Sequence, residues 1–169
     1  MIRSRVRLAV TAGRGRCCNR RSGTGRRAAR NDSAENEGGA AESLWSAVLA
    51  YPDGARIAIG ANMLRAKSLG AFVDQTVRVL HAAGFDLADA SRAADTLLGL
   101  VLGAAVERQS APTWDAAQAE QARTQFPTTI AGFEACRQQG DDALRSFRYS
   151  IDILIHGLVA LRQESHSAR

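Results

Sequence analysis

The chain has 169 residues, of which 46% are hydrophobic but only 5% aromatic. Its core must therefore be built mainly from alanine, leucine, valine and isoleucine. The abundance of alanine and leucine favours helices over sheets. The net charge of +5 combines two unlike parts, because residues 1–30 contain ten arginines and no acidic residue, whereas residues 31–169 contain 12 basic (Lys and Arg) and 17 acidic residues. The mildly acidic body of the chain therefore has no electrostatic footprint for nucleic acid.

Residues 1–40 are rich in arginine, glycine and alanine and show no sustained period of 2 or 3.6. We expect this segment to be disordered, because it cannot bury enough apolar area to offset the entropy of the chain. Three interpretations are open. The segment is an arginine tail that binds nucleic acid through counterion release, an organelle transit peptide, or GC-rich coding DNA that has been read out of frame.

Residues 41–166 are predicted to form one all-α domain, a bundle of helices separated by proline, glycine and aspartate. Apolar residues recur at helical spacing in most of the segments. The predicted helices are Glu42–Tyr51, Leu64–Ala83, Leu87–Gln109, Ala116–Phe126, Ile130–Gln139 and Asp141–Gln163, with a short apolar piece at Ala55–Ile59 and a break at residues 127–129.

The start of the helix predicted at Leu87–Gln109 has strong local signals. Gly84 suits the position just after the end of the preceding helix, where φ is positive. Asp86 suits the N-cap, with Asp89 near the positive end of the helix dipole. From Leu97 onward the helix is apolar on every side, which predicts a central position.

The last helix has the clearest periodicity. Six apolar residues at spacings of 3, 4, 3, 4 and 3 form a seam that packs against a neighbouring helix at a shallow angle. They are Leu144, Phe147, Ile151, Leu154, Leu158 and Leu161, and a second apolar face contains Ile153, Ile155, Val159 and Ala160. A helix with two apolar faces must touch two surfaces, and a dimer partner is the simplest second surface, giving a four-helix bundle. The alternative is that both faces are satisfied inside one chain.

Cofactor, catalytic and membrane signals are weak throughout. No segment reaches the roughly 20 apolar residues that span a bilayer, and three cysteines, at 17, 18 and 136, do not make a disulfide framework. We therefore expect a reducing, cytoplasmic location and no membrane contact. The scattered histidines give no metal-site spacing, and no set of acid, base and nucleophile is evident. We expect no metal, no other cofactor and no enzymatic activity.

Four pieces in order support a family resemblance: Asp-Gly-Ala-Arg-Ile at 53–57, Gly-Phe-Asp-Leu at 84–87, Leu-Gly-Ala-Ala-Val-Glu at 102–107, and the apolar pattern at 147–158. From about Glu42 to Arg162 the chain resembles the C-terminal half of tetracycline-repressor (TetR) family regulators. The resemblance implies an all-helical ligand-binding and dimerisation domain, with a dimer interface on the helices around 87–108 and 142–162. Such regulators have a DNA-binding helix-turn-helix at their N-terminus. Residues 1–40 contain no recognisable counterpart, which favours the out-of-frame interpretation.

The resemblance also indicates the kind of effector. Tetracycline repressors hold a metal–drug chelate through two histidines, and the matching positions here are Ala58 and Gly99, neither of which binds a metal. A mostly apolar small molecule, bound without a metal, is therefore implied. The implied ligand-binding residues are Val73, Thr76, Ala94, Gly99 and Glu107, together with Phe133 and Cys136 from the partner subunit. Plain core packing, or for Glu107 a solvated helix end, is the alternative. Gly99 with Gly103 also suits the close approach of another helix.

The resulting hypothesis is a homodimeric TetR-type repressor domain that senses an unidentified small molecule. It would bind operator DNA only if a helix-turn-helix head were supplied. One alternative is a stand-alone module that forms heterodimers with a full-length regulator. A second alternative is a small helical enzyme, which the lack of a convergent acid–base set disfavours.

Overall fold

The structure is a computed structural model that describes residues 39–62 and 64–167. This part of the chain forms seven helices and contains no strand, which confirms the all-α fold class. The helices are α1 (Ala40–Leu49), α2 (Gly54–Ile59), α3 (Lys67–Ala82), α4 (Leu87–Gln109), α5 (Ala116–Gln125), α6 (Pro127–Gln138) and α7 (Ala143–Ser167). The disorder predicted for residues 1–40 falls outside the described residues except at Gly39 and Ala40, and Ala40 already belongs to α1.

The centre of the fold is α4, with α1, α2, α3 and α7 packed around it. Leu97 and Val101 of α4 and Leu80 of α3 are the largest fully buried side chains among the described residues. Each such burial stabilises the fold by roughly 1.5–3 kcal/mol relative to an exposed side chain. The stretch that is apolar on every side is therefore central, as its sequence predicts.

The turn between α3 and α4 follows its sequence signals. Gly84 has a φ of +96°, and the N–H groups of Gly84 and Phe85 donate to the last carbonyls of α3 at 2.8 and 3.2 Å. These two bonds form a Schellman motif that ends α3. The carboxylate of Asp86 then accepts the N–H of Asp89 at 2.8 Å, which confirms Asp86 as the N-cap of α4.

Two side-chain contacts fasten α1 to α7. The rings of Trp45 and Phe147 stack with their centroids 5.0 Å apart and their planes 8° from parallel. Arg148 donates two hydrogen bonds, of 2.8 and 3.0 Å, to the carboxylate of Glu42, which lies 106 residues earlier in the sequence. One side of α7 therefore packs against the core of its own chain.

Two predicted helix starts are wrong by three residues, and each has a local cause. Helix α3 begins at Lys67 rather than at Leu64, because the side-chain oxygen of Asn62 accepts the N–H of Leu64 at 2.9 Å and holds a separate turn. Leu64 is consequently 87% exposed. Helix α6 begins at Pro127, where the sequence predicts a break, because proline fits the first turn of a helix.

Helices α5 and α6 form a hairpin, called the arm below (residues 116–138). They pack against each other and make little contact with the other helices. Asp115 and Gln118 form a capping box at the start of the arm, and Arg123 lies 3.8 Å from Glu134 across it. Ala122 is the one buried residue in the two helices. Since helices of 10 and 12 residues are marginal in water on their own, the arm lacks a core that would hold it in place.

Candidate functional site

A cleft of about 520 Å³ lies between the first half of α4 and the second half of α7. The α4 side consists of residues between Gly84 and Thr96, and the α7 side of residues between Ile153 and Arg162. The lining surface is mostly apolar and includes one phenylalanine, one isoleucine and three leucines, and the cleft opens to solvent. Its size is within the usual range for a small-molecule site, and its shape also suits an inserted helix.

Charged groups at the rim of the cleft already have contacts within the chain. Arg92 donates to Asp89 at 2.8 Å, and the guanidinium of Arg162 lies over the ring of Phe85, 6.0 Å from its centroid. The pKa of Asp86 is lowered below its usual value, mainly because its carboxylate accepts the backbone N–H of Asp89. The apolar lining is therefore the part of the cleft best suited to recognise a partner.

The cleft continues along α4 as a stripe of small residues. Gly99 and Gly103 are exposed, and in the part of the chain that the structure describes no other element lies within 4 Å of the position that a Cβ atom would take on either. On α7, Ile153 and Leu161 are 57% and 59% exposed. We call this surface the α4–α7 face, and it consists of Thr96, Gly99 and Gly103 of α4 with Ile153, Gly157 and Leu161 of α7. Small residues on one helix and large aliphatic residues on the other suit the packing of a further helix pair.

The structure divides the six seam residues of α7, predicted as a dimer interface, between the inside and the outside of the chain. Phe147, Ile151 and Leu158 are buried, Leu144 and Leu154 are half-buried against the same core, and Leu161 is exposed. The buried ones face inward because that side of α7 packs against α4 and against Trp45.

The seam is thus mainly an internal contact of the chain. Phe147 is 2% exposed and Ile151 8% exposed, so they have little surface to offer to another subunit. The second predicted apolar face is divided as well, because Ile155 is buried in the same core whereas Ile153 is exposed on the open side of α7. An interface that includes Leu154, Leu158 and Leu161 stays a prediction, and these three residues line the cleft.

Three of the predicted ligand-binding residues lie on α3 and α4, the two helices with the most extensive mutual contact. Thr76 is 4% exposed, Ala94 is fully buried, and Val73 is half-buried. The Thr76 hydroxyl donates to the carbonyl of Phe72 at 2.8 Å, so its proton is used within α3. A ligand between these two helices would meet mainly apolar side chains.

The other four predicted ligand-binding residues lie elsewhere. Gly99 and Glu107 are exposed on α4, and Phe133, 65% exposed, and Cys136, also exposed, lie on α6. Because the arm makes little contact with the other helices, a single chain does not bring Phe133 and Cys136 to Thr76. The part of all seven residues in ligand binding stays a prediction.

The comparison with known protein families settles the class of the chain. Residues 30–162 match the family model described as "Tetracyclin repressor-like, C-terminal domain". This chain belongs to the TetR family. No curated protein and no solved structure matches it. Regulators of the TetR family are generally transcription factors rather than enzymes, and their C-terminal domains typically dimerise and bind small-molecule effectors.

Within the described residues of this TetR domain, no helix is both long and apolar enough to cross a membrane. In the same part of the chain, no three or more His, Cys, Asp or Glu side chains come together as a possible metal site.

Sequence reasoning missed several residues that shape this TetR domain. Phe85, Arg92 and Arg162 line the cleft, and the side chain of Gln109 bonds to three backbone groups of a distant segment. Each is a single residue of a common type, and the cleft and the Gln109 bonds join elements that are far apart in the sequence. No local pattern indicates such a role.

Proposed function

We propose that this TetR domain is the effector-sensing and dimerising part of a cytoplasmic transcription regulator, and that it forms a homodimer through the α4–α7 face. The open apolar cleft on that face is the observation that supports the proposal most. An apolar centre bordered by polar and charged groups is the usual make-up of a protein–protein interface. Two copies related by a two-fold axis would bury the face as a four-helix bundle of α4 and α7 from each protomer.

The energetic gain is concentrated in a few side chains. Ile153 and Leu161 are both more than half exposed in the single chain. Burying the rest of each side chain is worth about 1–2 kcal/mol, and the two-fold axis doubles the gain. The exposed stripe at Gly99 and Gly103 lets the backbones of opposing helices approach closely.

The arm fits the same proposal. Phe126 and Phe133 are 59% and 65% exposed on it, and Trp114 just before it is 51% exposed. An arm laid across the other protomer would cover these rings and place Phe133 and Cys136 beside that protomer's effector site. The effector site is then built from two chains.

The proposed effector is a mostly apolar small molecule that binds beside Val73, Thr76 and Ala94. Two of these side chains are aliphatic, and the hydroxyl of Thr76 already donates to Phe72. Effector binding would favour a dimer geometry in which DNA-binding heads no longer match the spacing of an operator.

Sedimentation equilibrium of the full chain tests the proposed dimer. We expect the wild type to be a dimer and the double variant Ile153→Glu/Leu161→Glu to be a monomer, because two carboxylates per chain would be buried in the interface. Leu64→Glu is the matched control, since Leu64 is an exposed leucine outside the α4–α7 face, and it should stay dimeric.

Two results would count against this proposal. One is a double variant that remains a dimer. The other is a monomeric wild type at all accessible concentrations. If that monomer associated only with a full-length TetR regulator, the heterodimer alternative would take the place of the homodimer.

A further inference from the structure

Gln109, the last residue of α4, binds a neighbouring segment with its whole side-chain amide. Its Oε1 accepts the backbone N–H of Ala55 at 3.2 Å. Its Nε2 donates to the carbonyl of Tyr51 at 2.8 Å and to that of Val48 at 3.4 Å. One side chain thus contacts the end of α1, the connecting turn and the start of α2.

The contact with Ala55 replaces a missing helix cap. The first N–H groups of any helix have no acceptor within the helix and need one from elsewhere. Asp53 is at the N-cap of α2, where aspartate usually provides this acceptor, but its side chain makes no capping bond. The acceptor for the Ala55 N–H comes instead from Gln109, 54 residues later in the sequence.

The segment that Gln109 holds has little stability of its own. Helix α2 has only six residues, too few to persist alone. Asp53 has a φ of +56°, a left-handed conformation that is costly for a residue with a Cβ atom. Ala55 is fully buried, but Ile57 and Ile59 are 69% and 58% exposed. Burial therefore anchors α2 through two small residues, Ala55 and the half-buried Ala58.

A tight backbone approach adds a second constraint at the same turn. A Cβ atom on Gly54 would lie 2.3 Å from the carbonyl oxygen of Val48, so the turn closes only with glycine there. Val48 O is also one of the two carbonyls that Gln109 contacts. The closed turn and the bonds to Gln109 therefore depend on the same geometry.

We propose that Gln109 is a latch that holds residues 50–60 against α4, and that this segment opens locally when the latch is released while the rest of the fold stays intact. Because α4 also bears the α4–α7 face, a shift of α4 changes where Gln109 stands relative to the segment. The latch thereby links the position of α4 to the placement of the outward-facing Ile57 and Ile59. This regulatory use rests on the proposed function, whereas the latch itself does not.

Native-state hydrogen exchange, followed by mass spectrometry on the full chain, tests the latch. Gln109→Leu keeps the approximate size of the side chain and removes all three bonds. Gln109→Asn is the second variant and shortens the reach of the amide by one methylene group. Gln75→Leu is the matched control, because Gln75 is exposed on α3.

We expect both Gln109 variants to raise the exchange of residues 50–60 by roughly ten- to a hundredfold, with α3 and α7 unchanged. The control should leave all segments unchanged. In the wild type, exchange of this segment should also depend little on low concentrations of urea, because a local opening exposes little surface.

Three outcomes would overturn the latch: unchanged exchange in residues 50–60, an equal rise in all helices, or loss of the whole fold in both variants. The last two would make Gln109 a general stabilising residue. Repeating the measurement on Ile153→Glu/Leu161→Glu separates the two proposals. A latch that persists in this variant stands even if the homodimer is wrong, and the homodimer stands even if the latch fails.

Discussion

At the scale of single residues, the N-cap hydrogen bond of Asp86 makes the stability of the fold depend on pH. Its carboxylate accepts the N–H of Asp89 at 2.8 Å, and this bond is the main cause of its lowered pKa. A carboxyl group whose pKa is lower in the folded state stabilises the fold above its unfolded pKa. That contribution is lost as the pH falls through the folded pKa.

We expect Asp86→Asn to change the pH dependence of stability more than the fold. Asparagine also caps helices well but does not titrate. Relative to the wild type, the variant should lose stability at about pH 7, and this loss should be smaller at about pH 3, because the wild-type carboxyl gains protons as the pH falls towards its lowered pKa. Urea unfolding at the two pH values measures the difference. Asp95→Asn, on the exposed side of the same helix, is the control. An equal loss at both pH values would disprove the titration argument.

At the scale of elements, α4 combines a buried side rich in leucine and alanine with an outer side that contains two glycines. Glycine in the middle of a helix usually weakens it by about 1 kcal/mol relative to alanine. Among the described residues nothing requires this weakness, since no other element lies within 4 Å of a Cβ position at Gly99 or Gly103. The two glycines therefore lower the intrinsic stability of α4 along the α4–α7 face.

The double variant Gly99→Ala/Gly103→Ala should therefore have effects of opposite sign. In the monomeric Ile153→Glu/Leu161→Glu background we expect the free energy of unfolding to rise by about 1–2 kcal/mol. In the otherwise wild-type chain we expect weaker dimerisation, because the new methyl groups hold opposing helices apart. Urea unfolding and sedimentation equilibrium measure the two quantities. Tighter dimerisation would show that no helix approaches these glycines.

The same scale shows what periodicity can and cannot predict. The buried side of α3 and the central position of α4 follow from apolar spacing, and the turn between them follows from Gly84 and Asp86. Periodicity also finds two apolar faces on α7, but it does not say which residues of each face meet the same chain. That choice depends on Trp45, which stacks on Phe147 from 102 positions earlier in the sequence. Long-range pairings of this kind, including those of Gln109, leave no local pattern.

The candidate site was less predictable than the fold for a related reason. A helix start depends on a few neighbouring residues, and even there Asn62 and Pro127 shifted two boundaries. A site depends on which elements meet. The predicted ligand-binding residues lie on α3, α4 and the arm, and a single chain does not join all three. In the proposed homodimer, the second chain would supply the missing contacts.

At the scale of the whole molecule, charge is distributed very unevenly. The described residues 39–167 contain 11 basic and 14 acidic residues, while residues 1–30 contain ten arginines and no acid. Affinity for DNA that arises from many arginine–phosphate contacts releases counterions and is therefore sensitive to salt. The folded body has no matching concentration of positive charge.

We expect any binding of this chain to DNA to be unspecific and to come from the arginine-rich segment. The logarithm of the binding constant should fall linearly with the logarithm of the salt concentration, by about 0.9 for each phosphate contacted. A chain that starts at residue 39 should show no binding under the same conditions. Fluorescence anisotropy with two unrelated duplexes measures both effects. Binding that distinguishes the duplexes at moderate salt would contradict this expectation.

The placement of the two tryptophans gives the molecule a pair of separate optical reporters. Trp45 is 8% exposed and stacked in the core, whereas Trp114 is 51% exposed just before the arm. The chain contains no other tryptophan. Indole emission shifts to shorter wavelength as water is removed from the ring, so a Trp45→Phe chain would emit from the root of the arm alone. The wavelength of its emission maximum, measured at increasing protein concentration, would report when the arm packs against another surface. The emission of a Trp114→Phe chain would report on the core.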